Sequence, residues 1–223
     1  MIVCIDGVLD RSQLNSALEA IRAADFVDGR ETAGFRAKLV KNNLQLKKQA
    51  PGAEGIKETV VKALKGNKEF QRAAIPRIIQ KPLISRYQEG MNYGLHVDDA
   101  LMGGDHKVRT DLSVTLFLND PSDYQGGELI VETAAGEEEI KLPAGAAVVY
   151  PSGALHRVAP VTRGERVAAV TWVESYVRDP LRREALADLD LIRCRLAEVL
   201  PDSRETDLAF KTYANLLRMW AET

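Results

Sequence analysis

Histidine and cysteine are scarce in this chain of 223 residues, with three of the first and two of the second. Cys4 and Cys194 stand near opposite ends without a partner at short spacing, which excludes a disulfide framework and a thiolate metal knuckle. Both read as small buried or semi-exposed hydrophobes. An excess of one charge is also missing. Thirty basic against 32 acidic side chains leave a formal net charge of -2, so neither nucleic acid nor an anionic membrane is expected to be held by bulk charge. No run approaches the roughly 18 apolar residues that span a bilayer. The briefly apolar start carries Asp6 and lacks the basic flank of a secretory signal, and the reduced cytoplasm is the expected location. There is no internal repeat or low-complexity tract. The remaining composition, 45% apolar and 28% charged, is that of an ordinary folded protein.

What is present divides the chain into three textures. Asp10 stands as a cap before Leu14, Ala17, Leu18 and Ile21, which share one helical face, so the spacing predicts a helix through residue 24. The leucines of 37–48 are too irregular to assign, and Pro51-Gly52 breaks whatever precedes them. Ile56, Val60, Val61 and Leu64 restore a helical pattern over 53–66, so helices are expected to dominate the first third. From Arg77 the pattern becomes short β-rich runs bounded by Gly, Pro, Asn or Asp, among them 83–87, 112–118, 129–131, 139–142, 146–150, 157–161 and 166–176. Successive strands without helices between them describe an antiparallel sandwich or barrel. Past Val177 a helical stripe runs through Leu186, Leu189, Ile192, Leu196 and Val199. Pro201 interrupts it, and Asp202 with Glu205 offers a capping box for a last helix carrying Tyr213, Leu216, Leu217 and Trp220. That stripe reads either as core packing or as a dimerisation surface. The expected organisation is a helical or mixed segment at 1–76 packing on a barrel, a β core at 77–176 and a helical extension at 177–223.

Two of the three histidines fall inside the β region, and Asp98 follows His96 by two. On an extended strand residues i and i+2 share a face about 6.5–7 Å apart, so His96 and Asp98 can converge on one ion. His156, from a distant strand, would complete two imidazoles and one carboxylate on one face of an octahedron, the arrangement of non-haem Fe(II) oxygenases. The plainer alternative is a hydrogen-bonded core histidine, a turn aspartate and a histidine capping the turn 151–153. Ten residues after His156, Arg166 shares a strand face with Ala168, Val170 and Trp172. A guanidinium on such a face wants an anion, because burying it unpaired costs several kcal/mol. Either an internal salt bridge to Glu128, Glu132 or Glu174 supplies it, or a dicarboxylate cosubstrate does, which the planar fork of arginine matches bidentately. The glycine-bearing loop 99–110 reads as a lid over substrate or as a mobile tip, with His106 solvent-exposed rather than a fourth ligand. Glu137, Glu138 and Glu139 read as a solvated hairpin tip.

These motifs, taken in order, resemble the Fe(II)- and 2-oxoglutarate-dependent dioxygenases, in particular the PKHD-type hydroxylases, relatives of the prolyl 4-hydroxylases. The resemblance runs through Ser85-Arg86-Tyr87, Gly90-Met91-Asn92-Tyr93-Gly94, His96-Val97-Asp98, Arg109-Thr110-Asp111-Leu112-Ser113 and Gly126-Gly127-Glu128-Leu129. It continues through Leu142-Pro143-Ala144-Gly145, Leu155-His156-Arg157-Val158, Pro160-Val161-Thr162-Arg163-Gly164 and Asp188-Leu189-Asp190. It implies an α+β fold, a double-stranded β-helix (jelly roll) core with flanking N-terminal helices and a C-terminal helical extension. It further implies Fe(II) bound by His96, Asp98 and His156, with 2-oxoglutarate anchored on Arg166 and assisted by the Tyr87 hydroxyl. L-ascorbate enters as the associated reductant. O2 and 2-oxoglutarate would be consumed to hydroxylate a C–H bond of a peptide or small molecule, with release of succinate and CO2. Trp172 would wall the pocket, and the C-terminal helices could support a homo-oligomer. The competing class is a metal-binding jelly roll that stores or senses an ion without catalysis; an inward-facing arginine separates the two, since a store needs no carboxylate anchor.

Overall fold

The run 166–175 organises the molecule. In the computed structural model, which describes residues 1–104 and 106–222, it forms one long strand, Arg166–Ser175. This strand pairs antiparallel with Leu112–Phe117 on one side and Leu83–Tyr87 on the other. Side chains alternate along a strand with a period of two, which divides it into two faces. Val167, Ala169 and Val173 turn toward a core shared with Ile56, Val60 and Leu64 of the helix Ala53–Gly66. Arg166, Val170 and Trp172 turn the opposite way, into a cavity.

The larger sheet runs in the spatial order Val3–Ile5, Ala147–Pro151, Leu112–Phe117, Arg166–Ser175, Leu83–Tyr87, Leu44–Leu46 and Phe26–Asp28. Pro76–Ile79 pairs with the far end of Arg166–Ser175. A smaller antiparallel sheet runs Gly136–Ile140, Leu129–Thr133, His156–Val158, Asn92–His96 and Lys41–Asn42. The two inner faces meet in an apolar cluster that joins Tyr87, Phe117 and Tyr150 of the larger sheet to Leu129, Val131 and Val158 of the smaller. The exposed Glu137, Glu138 and Glu139 lie on the edge strand Gly136–Ile140 rather than at a hairpin tip, and charge there discourages further strand pairing.

In the first third the helix Arg11–Arg22 is capped by a reciprocal box between Asp10 and Gln13. The expectation of helical dominance there is incomplete. Val3–Ile5, Phe26–Asp28 and Leu44–Leu46 extend the larger sheet, and Lys41–Asn42 extends the smaller. These strands have two or three residues each, too few for an alternating pattern to register in a sequence. The unassigned stretch 37–48 accordingly divides between the end of the helix Phe35–Val40 and two of these strands.

At the other end the helices Pro180–Val199 and Arg204–Trp220 pack against each other, and Tyr213, Leu216, Leu217 and Trp220 of the second cover a cluster of Ile75, Val177 and Leu186. The last helix is capped by Ser203, not by Asp202. The Ser203 Oγ accepts from the Thr206 N–H at 3.2 Å, and the Thr206 hydroxyl donates to the Leu200 carbonyl at 2.7 Å. An ion pair of 2.7 Å from Arg72 to Asp190 fastens the extension to the helix Lys68–Ala74. Cys4 is exposed, contrary to its reading as a buried or semi-exposed hydrophobe, because it occupies the outward position of an edge strand; Cys194 is partly buried. Among the described residues no helix is long and apolar enough to cross a membrane.

Candidate metal centre

His96 is the last residue of its strand and Asp98 lies two residues beyond the end. The expectation that both sit on regular strand is therefore half met, but the chain stays extended enough to keep them together. His156 is the register partner of His96 on the neighbouring strand, and the two imidazole centroids are 4.3 Å apart. One donor atom from each of His96, Asp98 and His156 lies within 4.8 Å of the others, a separation that a single ion with bonds of about 2 Å can bridge. Among the described residues no other group of His, Cys, Asp and Glu converges in this way, and His106 is exposed and apart.

The surroundings prepare these donors for a cation. The His96 Nδ1 faces the Gly94 carbonyl at 2.8 Å and the His156 Nδ1 faces the Ala154 carbonyl at 3.0 Å. A carbonyl only accepts, so each Nδ1 carries a proton, which in the neutral ring leaves the Nε2 lone pair free for a ligand bond. Burial, reinforced by the neighbouring His156, brings the His96 pKa down to about 4 and keeps its ring neutral. The Ser113 hydroxyl donates to Asp98 Oδ2 at 2.5 Å and meets the Ser152 hydroxyl at 2.8 Å, which fixes the carboxylate. Tyr93 stacks on His96 at 3.6 Å, and Tyr150 approaches His156 edge-on at 5.1 Å. A register shift between His156 and Val158 is what turns Tyr93 and His96 to the same side.

Arg166 is 1% exposed, and two of the three carboxylates expected as alternatives for pairing it are otherwise engaged. Glu128 binds Lys141 at 3.3 Å and Glu174 binds Arg77 at 2.8 Å; among the described residues no carboxylate forms an ion pair with Arg166. Its Nε has no hydrogen-bond partner, and its guanidinium lies 5.2 Å from the Tyr87 ring centroid and 5.3 Å from that of Phe117. Tyr87 is its register partner. Gly127, at φ 68°, leaves the room that the arginine occupies, since a Cβ there would stand 3.1 Å from Arg166 Cδ.

A cavity of about 510 Å³ opens onto His96, Asp98, His156, Arg166, Tyr87 and Trp172, so every residue singled out in the sequence for metal or cosubstrate meets in one place. The loop 99–110, described apart from residue 105, is a small hairpin with strands Leu101–Met102 and Val108–Arg109. Leu101, Met102 and Lys107 of that hairpin also line the cavity. Sequence reasoning gave no site role to Ser113, Tyr93 or Tyr150, nor to the cavity-lining Lys41. The signal for Ser113 was its alternation, together with Thr115, with Leu112, Val114 and Leu116 along the strand.

A two-sheet scaffold that presents two imidazoles, one carboxylate and a buried arginine to a single cavity defines a non-haem iron oxygenase that uses a dicarboxylate cosubstrate. In agreement, the 2OG-Fe(II) oxygenase superfamily model matches residues 82–174. The chain is 52% identical, over 100% of both lengths, to a PKHD-type hydroxylase of Synechococcus sp. (strain JA-2-3B'a(2-13)). It belongs to the PKHD-type hydroxylases, and is an Fe(II)- and 2-oxoglutarate-dependent dioxygenase. Among solved structures, a Trichoplax adhaerens prolyl hydroxylase, determined with a peptide fragment of the hypoxia inducible factor oxygen degradation domain, has a similar fold. Its TM-score is 0.58, at 16% identity over 83% of this chain and 86% of that one. A Pseudomonas putida prolyl-4-hydroxylase has a TM-score of 0.54, at 21% identity over 78% of this chain and 92% of that one.

Proposed function

We propose that His96, Asp98 and His156 hold the Fe(II) of this hydroxylase and that Arg166, with the Tyr87 hydroxyl, holds the distal carboxylate of 2-oxoglutarate. The observation that carries this assignment is the buried Arg166 guanidinium, which has no internal carboxylate and opens on the same cavity as the three metal-type ligands. Bound iron and 2-oxoglutarate supply the oxidising chemistry, hydroxylating a substrate C–H bond as the cosubstrate and O2 yield succinate and CO2. The chain's own task is positioning. Ser113 sets the angle of the Asp98 carboxylate, the Gly94 and Ala154 carbonyls set the imidazole tautomers, and Tyr93 and Tyr150 keep water from the ring faces. Trp172 closes the wall beyond Val170 on the Arg166 face.

On this reading the facing sheets are a double-stranded β-helix, with 77–176 as the catalytic core, 1–76 supplying helices and edge strands, and 177–223 a helical extension. L-ascorbate would keep the iron ferrous, the working location would be the cytoplasm, and the prime substrate would be a peptide or small molecule. Leu181, Ile192 and Met219 remain exposed on the extension, which supports self-association through it.

Anaerobic optical titration with Fe(II) and then 2-oxoglutarate tests the site. A visible charge-transfer band saturating at one equivalent of each is expected in the wild type. Arg166→Ala should keep iron and lose 2-oxoglutarate affinity, whereas His156→Ala should lose iron. Equal loss of iron in both variants would remove the role given to Arg166.

A further inference from the structure

The cavity contains a second buried cation that the iron and its cosubstrate do not use. Lys41 is 7% exposed, lies on the smaller sheet as the register partner of Tyr93, and lines the same cavity. Its Nζ donates to the Thr32 hydroxyl at 3.3 Å and stands 5.1 Å from the Tyr93 ring centroid. Among the described residues no carboxylate is within ion-pair distance of it. Thr32 in turn donates to Gln45 Oε1, so the amide N–H groups of Gln45, a residue 3% exposed on the cavity wall, remain to donate. Desolvation holds the Lys41 pKa down to about 8, and what offsets it is the negative charge of Asp98, then that of Asp28.

Charge bookkeeping then turns on the metal. The two positive charges of Fe(II) and the one of Arg166 balance Asp98 and the two carboxylates of 2-oxoglutarate. Once the site is loaded, Asp98 no longer compensates Lys41, and the buried ammonium is left only with Asp28, which is itself ion-paired with Arg30. The other charged groups at the cavity, Glu31, Asp99, Lys48, Lys81 and Lys107, are exposed and screened by solvent, and Lys81 is already paired with Glu54. A buried charge needs a partner that is itself shielded from water, because the unpaired state costs several kcal/mol.

We propose that Lys41, backed by Thr32 and Gln45, is the specificity subsite for the prime substrate and that it binds a carboxylate on that substrate. The substrate class is therefore anionic, its carboxylate engaged on the smaller sheet while Arg166 on the larger sheet keeps the cosubstrate. This inference rests on the iron and 2-oxoglutarate assignment above.

The probe is trifluoroacetate, titrated anaerobically into enzyme loaded with Fe(II) and 2-oxoglutarate, with fluorine relaxation reporting proximity to the paramagnetic iron and the charge-transfer band read in parallel. A saturable single-site relaxation enhancement is expected while the band persists, and neutral trifluoroacetamide should give none. Lys41→Met, which removes a buried charge and should melt no lower than wild type, is expected to weaken trifluoroacetate at least tenfold, and Lys41→Arg to restore most of it. No saturable enhancement in the wild type, equal binding of the amide, or undiminished binding in Lys41→Met would overturn the proposal. So would loss of the band during titration, or a more than tenfold loss of 2-oxoglutarate affinity in Lys41→Met, since either places the anion at the cosubstrate's site. Absence of the band before any probe is added would instead sink the cosubstrate assignment itself.

Discussion

Replacing Ser113 by alanine isolates what the hydrogen bond to Asp98 contributes to metal binding. In the native arrangement one carboxylate oxygen, Asp98 Oδ2, accepts from Ser113 at 2.5 Å, and the same hydroxyl is in contact with Ser152 at 2.8 Å. Ser113 is fully buried and Ser152 nearly so, so water does not replace the lost hydroxyl. A hydrogen bond to a charged acceptor contributes about 1.5–3 kcal/mol, and loss of a partner that orients a metal ligand typically weakens the metal by about 10–100-fold. The two figures agree, because a tenfold change is about 1.4 kcal/mol. Ser113→Ala is therefore expected to weaken Fe(II) by about 10–100-fold, measured anaerobically by competition with a chromophoric chelator. Ser152→Ala leaves the direct bond to Asp98 in place and should weaken the metal by less than about 3-fold, since it removes only the support behind Ser113. Metal-free Ser113→Ala should also melt lower, by roughly 2–4 °C for each kcal/mol lost. Fe(II) affinity within threefold of wild type in folded Ser113→Ala, or a loss in Ser152→Ala as large as in Ser113→Ala, would refute the claim that this hydroxyl positions Asp98.

Arg166→Met should separate stability from function. Without cosubstrate the unpaired guanidinium is a liability of about 1–3 kcal/mol, so the metal-free variant is expected to melt higher while 2-oxoglutarate affinity, read by calorimetry, falls at least 100-fold. Gly127→Ala would place a methyl 3.1 Å from Arg166 Cδ at a backbone φ of 68°, and is expected to lower both melting temperature and 2-oxoglutarate affinity, whereas Gly136→Ala, where a Cβ meets nothing within 4 Å, should leave the affinity unchanged. The folded-state pKa of His96 is depressed below its unfolded value near 6.5, so between about pH 6.5 and 4 the unfolded chain binds more protons than the folded one. Metal-free protein should therefore lose stability as pH falls through that window, and thermal melts of His96→Gln should show a flatter dependence.

The parts of the site that could be read in the sequence are those where one residue type is chemically irreplaceable. Imidazoles and a carboxylate at i, i+2 admit few explanations once an arginine shares a strand face with small and apolar residues. Strand alternation then places Arg166, Val170 and Trp172 on the cavity side, as the residue order implies. Lys41 carried no such signal. It lies within the irregular leucine-bearing stretch 37–48 and belongs to a two-residue strand, and its register partner is Tyr93 of a strand about 50 residues away. Likewise the Arg109-Thr110-Asp111 motif carries part of the resemblance with no role attached, and in the fold it acts as a clamp. Asp111 accepts from the Ser175 N–H at 2.9 Å, while Arg109 donates to Asp111 at 2.8 Å and to the Ser175 carbonyl at 3.1 Å.

That clamp explains how the fold holds a rigid floor under the site while its mouth stays adaptable. Arg166–Ser175 is fixed at one end by Asp111 and Arg109, and at the other by the Asn119 carboxamide, whose Oδ1 accepts from the Val167 N–H at 2.8 Å and whose Nδ2 donates to the Glu165 carbonyl at 2.6 Å. Between the two clamps the strand has no freedom to slide, and a one-residue slip would turn Arg166, Val170 and Trp172 from the cavity to the helical core. The groups that face the mouth, in contrast, come from the short helix Phe35–Val40, through Ala37, and from the hairpin after Asp98, where Leu101 is 56% exposed. Iron and 2-oxoglutarate chemistry tolerates little displacement of its ligands, whereas substrates vary in size. Placing His96, His156 and Arg166 on paired strands, with Asp98 two residues past one of them, and the entrance on short exposed elements meets both demands with one chain.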